Sequence, residues 1–466
     1  MSANLAITDG IAADRSFFGH PRGLLFIVFT EAWERFSFYG MQALLVLYMA
    51  GYLLHPQNVA HVAGFAAFRA VIEDAFGHLS IEAMATQIFG LYGGLIYFMP
   101  VLGGLVGDRV LGRRRAVVVG AVLMALGHFM MAFEATFLVA LLSLILGCGL
   151  LKGNLAAQVG ALYPKDDSRQ DAGFSIYFVS INIGASIAPL VCGTLGEVYG
   201  WHYGFAAAGV GMLIGLGIYL SGSHYLPADP ATSTKTARER LSPGEIRIVL
   251  ALLSVLLVLT LFWTAQSQVW DTYPLWIRDR VDRHILGFVL PITWFQAIDS
   301  FAVLVLAPPI LWFWRQQARR GTEPGDLIKI PIGCAVFAFA CFWLSLGEIA
   351  SSGKVLIFWP VAFHFICACG YLYTAPTGLA LFSRTAPASI NAMMVGVYYL
   401  GLFAGSIASG WLGRFYQVLP SSAFWMMHGG IALSGSALML VAMRPLARLL
   451  GGKGGAQATT SGRPHP

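Results

Sequence analysis

The sequence predicts an all-α polytopic membrane protein with twelve transmembrane helices, grouped as two six-helix bundles. Three observations predict it. Hydrophobic residues make up 57% of the 466-residue chain, and its mean hydropathy is +0.69. Charged residues make up only 11%, where soluble domains carry about 25%. Apolar runs of about 20 residues, enough for one helical crossing of a bilayer, recur along the chain. One polar stretch, residues 223–245, divides these runs into six and six. The net charge of +6 does not point to nucleic acid, because the basic residues cluster in short loops between apolar runs.

The N-terminal bundle is expected over residues 1–222. Its polar start, MSANLAITDGIAADRSFFGHPRG, lacks a cleavable signal pattern. Span 1 covers 24–51, where the apolar flanks GLLFIVFT and MQALLVLYMA enclose EAWERFSFYG, residues 31–40. Glu31, Glu34 and Arg35 therefore lie at membrane depth, where each charge costs roughly 2.5–3.5 kcal/mol on translocon-type scales. Glu31 and Glu34 stand at i and i+3, Glu31 and Arg35 at i and i+4, so all three share one helix face. That face is expected to line a cavity. A carboxylate poised between a neighbouring arginine, which favours its charge, and desolvation, which opposes it, is a candidate proton site.

The loop 52–82 holds an amphipathic stretch, VAGFAAFRAVIEDAFGHL, expected to lie on the membrane surface. Span 2, 83–106, runs into GLVGDRVLGRRR, residues 104–115. Asp108 is placed there to cap the next helix or meet its dipole, with Arg113, Arg114 and Arg115 as available partners. Span 3 covers 115–134. Span 4, 137–160, carries Lys152 too far from the helix ends to snorkel, so it needs an acidic partner or a wet cavity. Span 5, 173–197, carries Asn182, a candidate helix–helix contact, and span 6 covers 203–222.

Residues 223–245 read as a cytoplasmic linker or surface helix. The C-terminal bundle is expected over 246–445, with spans at 246–276, 287–313, 330–348, 355–382, 390–414 and 423–445. A flexible cytoplasmic tail, 446–466, is expected after it. Asp271 falls in the outer third of span 7 and Asp299 deep in span 8. Both suit either a satisfied helix contact or a functional carboxylate. The six cysteines all lie in apolar segments. Cys367 and Cys369 have no partners at zinc spacing, so neither a metal nor a disulfide is expected. His128 and His364 read as isolated. No nucleophile–base pair appears at membrane depth, so the protein is not expected to be an enzyme.

Orientation follows from the basic residues. The even-numbered loops and both termini hold 21 of the 29 Lys and Arg. The positive-inside rule places that face, with both termini, in the cytoplasm.

GLVGDRVLGRRR resembles the loop signature of the major facilitator superfamily. The resemblance implies two bundles around a central cavity of alternating access, with sites near mid-bilayer where the repeats meet. EAWERFSFYG, LYGGLIYFMPVLGGLVGDRVLG, GCGLLKGNLAAQVGALY, FSIYFVSINIGASIAPLVCGTLGE and GWHYGF, in that order, resemble the proton-coupled oligopeptide transporter (POT) family within it. The match runs from about residue 20 to 445 and is best in the first half. It implies a monomeric, lipid-embedded symporter of di- or tripeptides, or of peptide-like substrates, in a bacterial inner membrane. The coupling ion would be the proton, with no other cofactor. By resemblance Glu31, Glu34 and Arg35 take part in proton coupling. Arg35 and Lys152 meet the substrate carboxylate, and Tyr39, Tyr97 and Asn182 line the pocket. Gln268, Asp299 and Tyr371 are candidates for the rest of the substrate site, Asp299 and Tyr371 as departures from the family pattern. Asp108, Arg113, Arg114 and Asp271 serve gating or structure.

The second half departs from the family pattern. FWTAQSQ places Ser267 where the family has Glu before Gln, and GYLYTAP places Tyr371 where it has Glu. Span 8 carries Asp299 at a usual Asn. In the family those two glutamates partner the span-4 lysine and hold the peptide amine. A buried substrate ammonium needs a counter-charge. Asp299 is one candidate for it, and Asp271 is a candidate partner for Lys152. Otherwise the substrate lacks a free amine. The alternatives are a proton-coupled transporter of a non-peptide organic anion, or a transport-dead sensor.

Overall fold

The computed structural model describes residues 14–164, 167–227, 229 and 241–450. Twelve long helices cross the described residues. The first six are α1 (Arg22–Tyr48), α2 (Ile81–Val106), α3 (Arg113–Met130), α4 (Phe137–Ala161), α5 (Arg169–Ala188) and α6 (Trp201–Gly222). The second six are α7 (Pro243–Gln266), α8 (Thr293–Arg319), α9 (Asp326–Ala350), α10 (Phe358–Thr385), α11 (Asn391–Leu412) and α12 (Ser421–Leu450). Eleven of the described helices are long and apolar enough to cross a membrane. The twelfth, α3, opens with three consecutive arginines that raise its charge. The protein is an all-α integral membrane protein, and the predicted twelve helices are present.

The helices form two groups. In the first, α1 packs on α5 and α6, α2 on α4, and α3 on α4 and α6. In the second, α9 packs on α10 and α12, and α7 on α11 and α12. The groups meet where α2 lies on α11 and α5 on α8. Glycines set several of these approaches. A Cβ on Gly184 of α5 would lie 2.2 Å from the Ala32 carbonyl oxygen of α1, so only glycine lets α5 close onto the helix that bears the charged cluster.

Several boundaries differ from the sequence reading, and four bear on the site or the ends of the bundles. Span 7 does not run unbroken to 276. After α7 comes a 3-10 turn, Ser267–Val269, and then a separate short helix, Thr272–Arg280. Pro274 explains the break, since its ring would clash with the carbonyl four residues back in a continuous helix. Span 8 starts at Thr293, not 287. Residues His284–Ile285 and Phe288–Val289 pair antiparallel first, turning through Leu286 and Gly287 at φ 48° and 83°. Positive φ at both turn positions is the tight hairpin geometry. Helix α7 begins at Pro243 behind a Ser242–Glu245 capping box, earlier than the expected 246. Helix α12 continues past 445 to Leu450, running through Pro445. Most of the linker (228 and 230–240) and the tail from 451 lie outside the described residues.

The surface stretch in loop 52–82 forms the helix Phe65–Phe76, bounded by Gly64 and Gly77 in left-handed conformations. It lies at the face away from α1's first and α12's last residues, here the far face. Hydrogen bonds between described residues that cross from one group to the other all lie toward that face. Glu197, past the end of α5, accepts from the backbone N–H of Ile292 and Thr293, each at 2.8 Å. Trp294 Nε1 donates to Thr194 at 2.8 Å. Ser80 meets Gln417 at 2.9 Å and Thr86 donates to the Gly410 carbonyl at 3.2 Å. Arg414 donates to the Phe76 carbonyl at 2.5 Å. The far face is closed, and at the terminal face no hydrogen bond joins the two groups among the described residues.

Candidate functional site

The charged cluster of α1 is buried as its spacing predicts. Arg35 reaches both carboxylates, Glu31 at 2.9 Å through Nε and Glu34 through Nη2. Glu34 is fully buried, with Glu31 and Arg35 nearly so. Tyr177 of α5 donates to the second oxygen of Glu31 at 2.7 Å. That hydroxyl was missed in the sequence. It stands 146 residues from Glu31, and nothing in its local pattern sets it apart from other span tyrosines.

Lys152 enters from α4. Gly149 sits against Met99 of α2, where an added Cβ would lie 2.8 Å from Met99 Cβ. That contact pins one face of α4 to α2 and turns Lys152 toward α1. The ammonium rests 4.3 Å from the Phe38 ring centre and 5.3 Å from that of Tyr97. Cation–π contact of this kind is worth about 0.5–2 kcal/mol, less than an ion pair with a carboxylate at such depth. Lys152 forms no ion pair among the described residues. The expectation that Asp271 would pair with it is overturned. Asp271 is fully buried and accepts from Ser409 of α11 at 3.2 Å, because the break before Thr272 turns it toward α11.

The other expected residues divide into two sets. Tyr39 spans the two groups, its ring 5.1 Å from that of Trp270. Tyr371 of α10 packs edge-on to Trp263, at 6.2 Å. Tyr97, Tyr39 and Tyr371 are all partly exposed, as pocket walls are. Asn182 and Gln268 are engaged elsewhere. The Asn182 amide donates to the Phe178 carbonyl of its own helix at 2.9 Å. Gln268 donates to the Ser409 carbonyl at 3.0 Å and accepts from Thr272, so it ties the break after α7 to α11. Ser267, at the position of the missing glutamate, meets Ser406 at 3.3 Å.

Asp299 of α8 is partnered by His364 of α10, with 3.4 Å between Oδ1 and Nδ1. The reading of His364 as isolated is therefore wrong. The two positions lie on helices that sequence alone does not bring together. His128 is fully buried and neither of its ring nitrogens finds a hydrogen-bond partner.

At the α2–α3 loop, Asp108 pairs with Arg113 at 2.9 Å. It does not cap α3, whose N-cap is Gly112 at φ 79°, a conformation that glycine adopts without strain. Arg114 donates to the carbonyls of Leu226, and of Pro227 at 3.2 Å, fastening the end of α6 to this loop. No group of three or more metal-ligating side chains occurs among the described residues.

Glu31, Glu34, Arg35 and Lys152 carry two negative and two positive formal charges in one largely buried wall. Adding an anion unbalances that wall, and adding a proton with it restores balance. Burial makes imbalance costly.

The chain is similar in sequence and fold to known transporters. The model of the PTR2, or POT, family matches residues 114–238 and 230–427. The chain is 30% identical to the peptide transporter YePEPT of Yersinia enterocolitica, over 86% of this chain and 88% of that protein. It is 28% identical to a di-/tripeptide transporter of Lactococcus lactis, over 94% and 98%. The crystal structure of a variant of a peptide transporter POT in complex with alafosfalin superposes with a TM-score of 0.83, at 29% identity, over 96% and 99% of the chains.

Proposed function

This chain belongs to the POT family, and from that premise we propose that it is a proton-coupled symporter. Its cargo is di- or tripeptides or peptide-like substrates, moved across a bacterial cytoplasmic membrane by alternating access, with both termini cytoplasmic. The observation that carries the reading is the balanced wall of Glu31, Glu34, Arg35 and Lys152. Its two cations have the charge to receive a substrate carboxylate, Lys152 most directly, since no carboxylate among the described residues pairs with it. When the substrate anion arrives, Arg35 is drawn from Glu34, and that carboxylate takes a proton to avoid standing buried and unpaired. Substrate and proton then enter the wall together and leave it together.

The test is Glu34→Gln in proteoliposomes. Uphill uptake driven by a proton gradient is expected to vanish while counterflow persists, because glutamine keeps the shape but binds no proton. Undiminished uphill uptake in the variant overturns the coupling role.

A second reading, transport of a non-peptide organic anion, is favoured by Ser267 and Tyr371. Both stand where the family resemblance expects carboxylates, and both are engaged with neutral neighbours. Competition of dipeptides against organic acids in the same uptake assay separates the two.

A further inference from the structure

Beyond the wall on α1 and α4, Asp299 of α8 and His364 of α10 form a further pair of titratable groups. His364 is fully buried, its Nδ1 3.4 Å from Asp299 Oδ1, and its Nε2 has no hydrogen-bond partner. Its ring is held edge-on to Tyr273, with centroids 5.0 Å apart at 82°. Asp299 is the open member, with 16% of its side chain exposed. The other titratable groups within electrostatic reach of Asp299 are Tyr39 on α1, Tyr273 on the short helix after α7, and Cys367 and Tyr371 on α10. On α5, which packs against α8, Glu197 is spent on the backbone of Ile292 and Thr293. On α9, behind α10, Glu348 is held by Arg280 and Lys329 by Glu323. Among the described residues His364 is the one basic group paired with Asp299.

We infer that Asp299 and His364 form a proton-gated ammonium site, in which a proton on His364 and an ammonium group on the substrate compete for the Asp299 carboxylate. The inference rests on the reading of this cavity as a peptide-type site. With His364 as imidazolium the pair is neutral, and an arriving ammonium meets a positive ring. With His364 neutral, the pair carries one net negative charge and offers it to the ammonium. Binding an amine-bearing substrate to the protonated pair therefore displaces one proton from an imidazole nitrogen to a water molecule. Only that N–H bond breaks, and the proton leaves with no redox partner. The pair thus supplies the counter-charge that Tyr371 does not, and makes recognition of a free amine pH-dependent. A substrate with a blocked amine escapes that dependence.

The experiment measures binding of dialanine and N-acetyl-dialanine to the purified full-length protein at pH 7.0 and 5.5, in wild type, His364→Gln and Asp299→Asn. Dialanine is expected to bind roughly fivefold more weakly at the lower pH relative to its acetylated analogue, an ordinary coupling between two ligands of one site. His364→Gln is expected to remove that difference, and Asp299→Asn to weaken dialanine alone. The same pH difference in His364→Gln, or equal dependence for both probes, overturns the inference. If neither peptide binds at either pH, the peptide reading fails by itself. The pair is then judged by 15N NMR of labelled histidine, with the His364 signal assigned by its loss in His364→Gln. A His364 titration that moves in Asp299→Asn sustains the proton-gated pair, and one that does not move overturns it.

Discussion

The Glu31–Arg35 contact shows how far local spacing reaches. An i, i+4 pair on a helix is close whatever the rest of the fold does, so this ion pair is legible in ten residues of sequence. Tyr177 and His364 are not, because their partners lie on other helices and hydropathy carries no register between helices. Tyr177 also makes a sharp test at this scale. Its hydroxyl is a hydrogen-bond donor to a buried, charged carboxylate, and removing one such donor costs about 1–3 kcal/mol. Tyr177→Phe keeps the ring and deletes only that bond. Its melting temperature in detergent is expected to fall by several degrees. An unchanged melting temperature means that Glu31 is held by Arg35 alone.

Element by element, the twelve helices were legible because each needs its own apolar run. The interruptions were harder. The break before Thr272 and the hairpin at 284–289 lie inside or beside apolar runs, and hydropathy averages over them. Pro274 and the Leu286–Gly287 turn are the local signals for them, set in an apolar background. The α2–α11 contact is where element packing bears on function. A Cβ on Gly90 would lie 2.5 Å from the Ser406 carbonyl oxygen and 2.8 Å from Gly410 Cα. Backbone there has no flexible end to yield. Gly90→Ala therefore strains the closed far face and leaves a separated one untouched. Overpacking of this kind costs about 1–3 kcal/mol, enough to shift a two-state population about fivefold or more. Spin labels at the exposed His61 and Leu286, one in each bundle, are expected to show a larger share of long distances in the variant. An unaltered distance distribution shows that α2 and α11 do not set the closure.

For the whole molecule, a sequence pattern specifies helices and their pairing, but a carrier visits at least two arrangements of the same helices. The closed far face could not be read beforehand, because separating the bundles there would leave the apolar packing within each bundle unchanged. What distinguishes the closed arrangement is the small set of polar contacts across the bundles, Glu197 to the start of α8, Ser80 to Gln417 and Arg414 to the Phe76 carbonyl. Each is satisfied only while the far face is shut, so under the proposed alternating access all break once per cycle. Ser80 and Gln417 touch side chain to side chain, and a Ser80→Cys, Gln417→Cys pair should bridge on mild oxidation. Five of the six native cysteines are buried, which leaves the new pair as the main target of an oxidant. Bridging is expected to reduce counterflow at least tenfold, and reductant to restore it, since exchange across the membrane requires the far face to open. Full counterflow with the bridge in place places the moving contact elsewhere. Stalled exchange ties the closure at α2 and α11 directly to access to the charged wall.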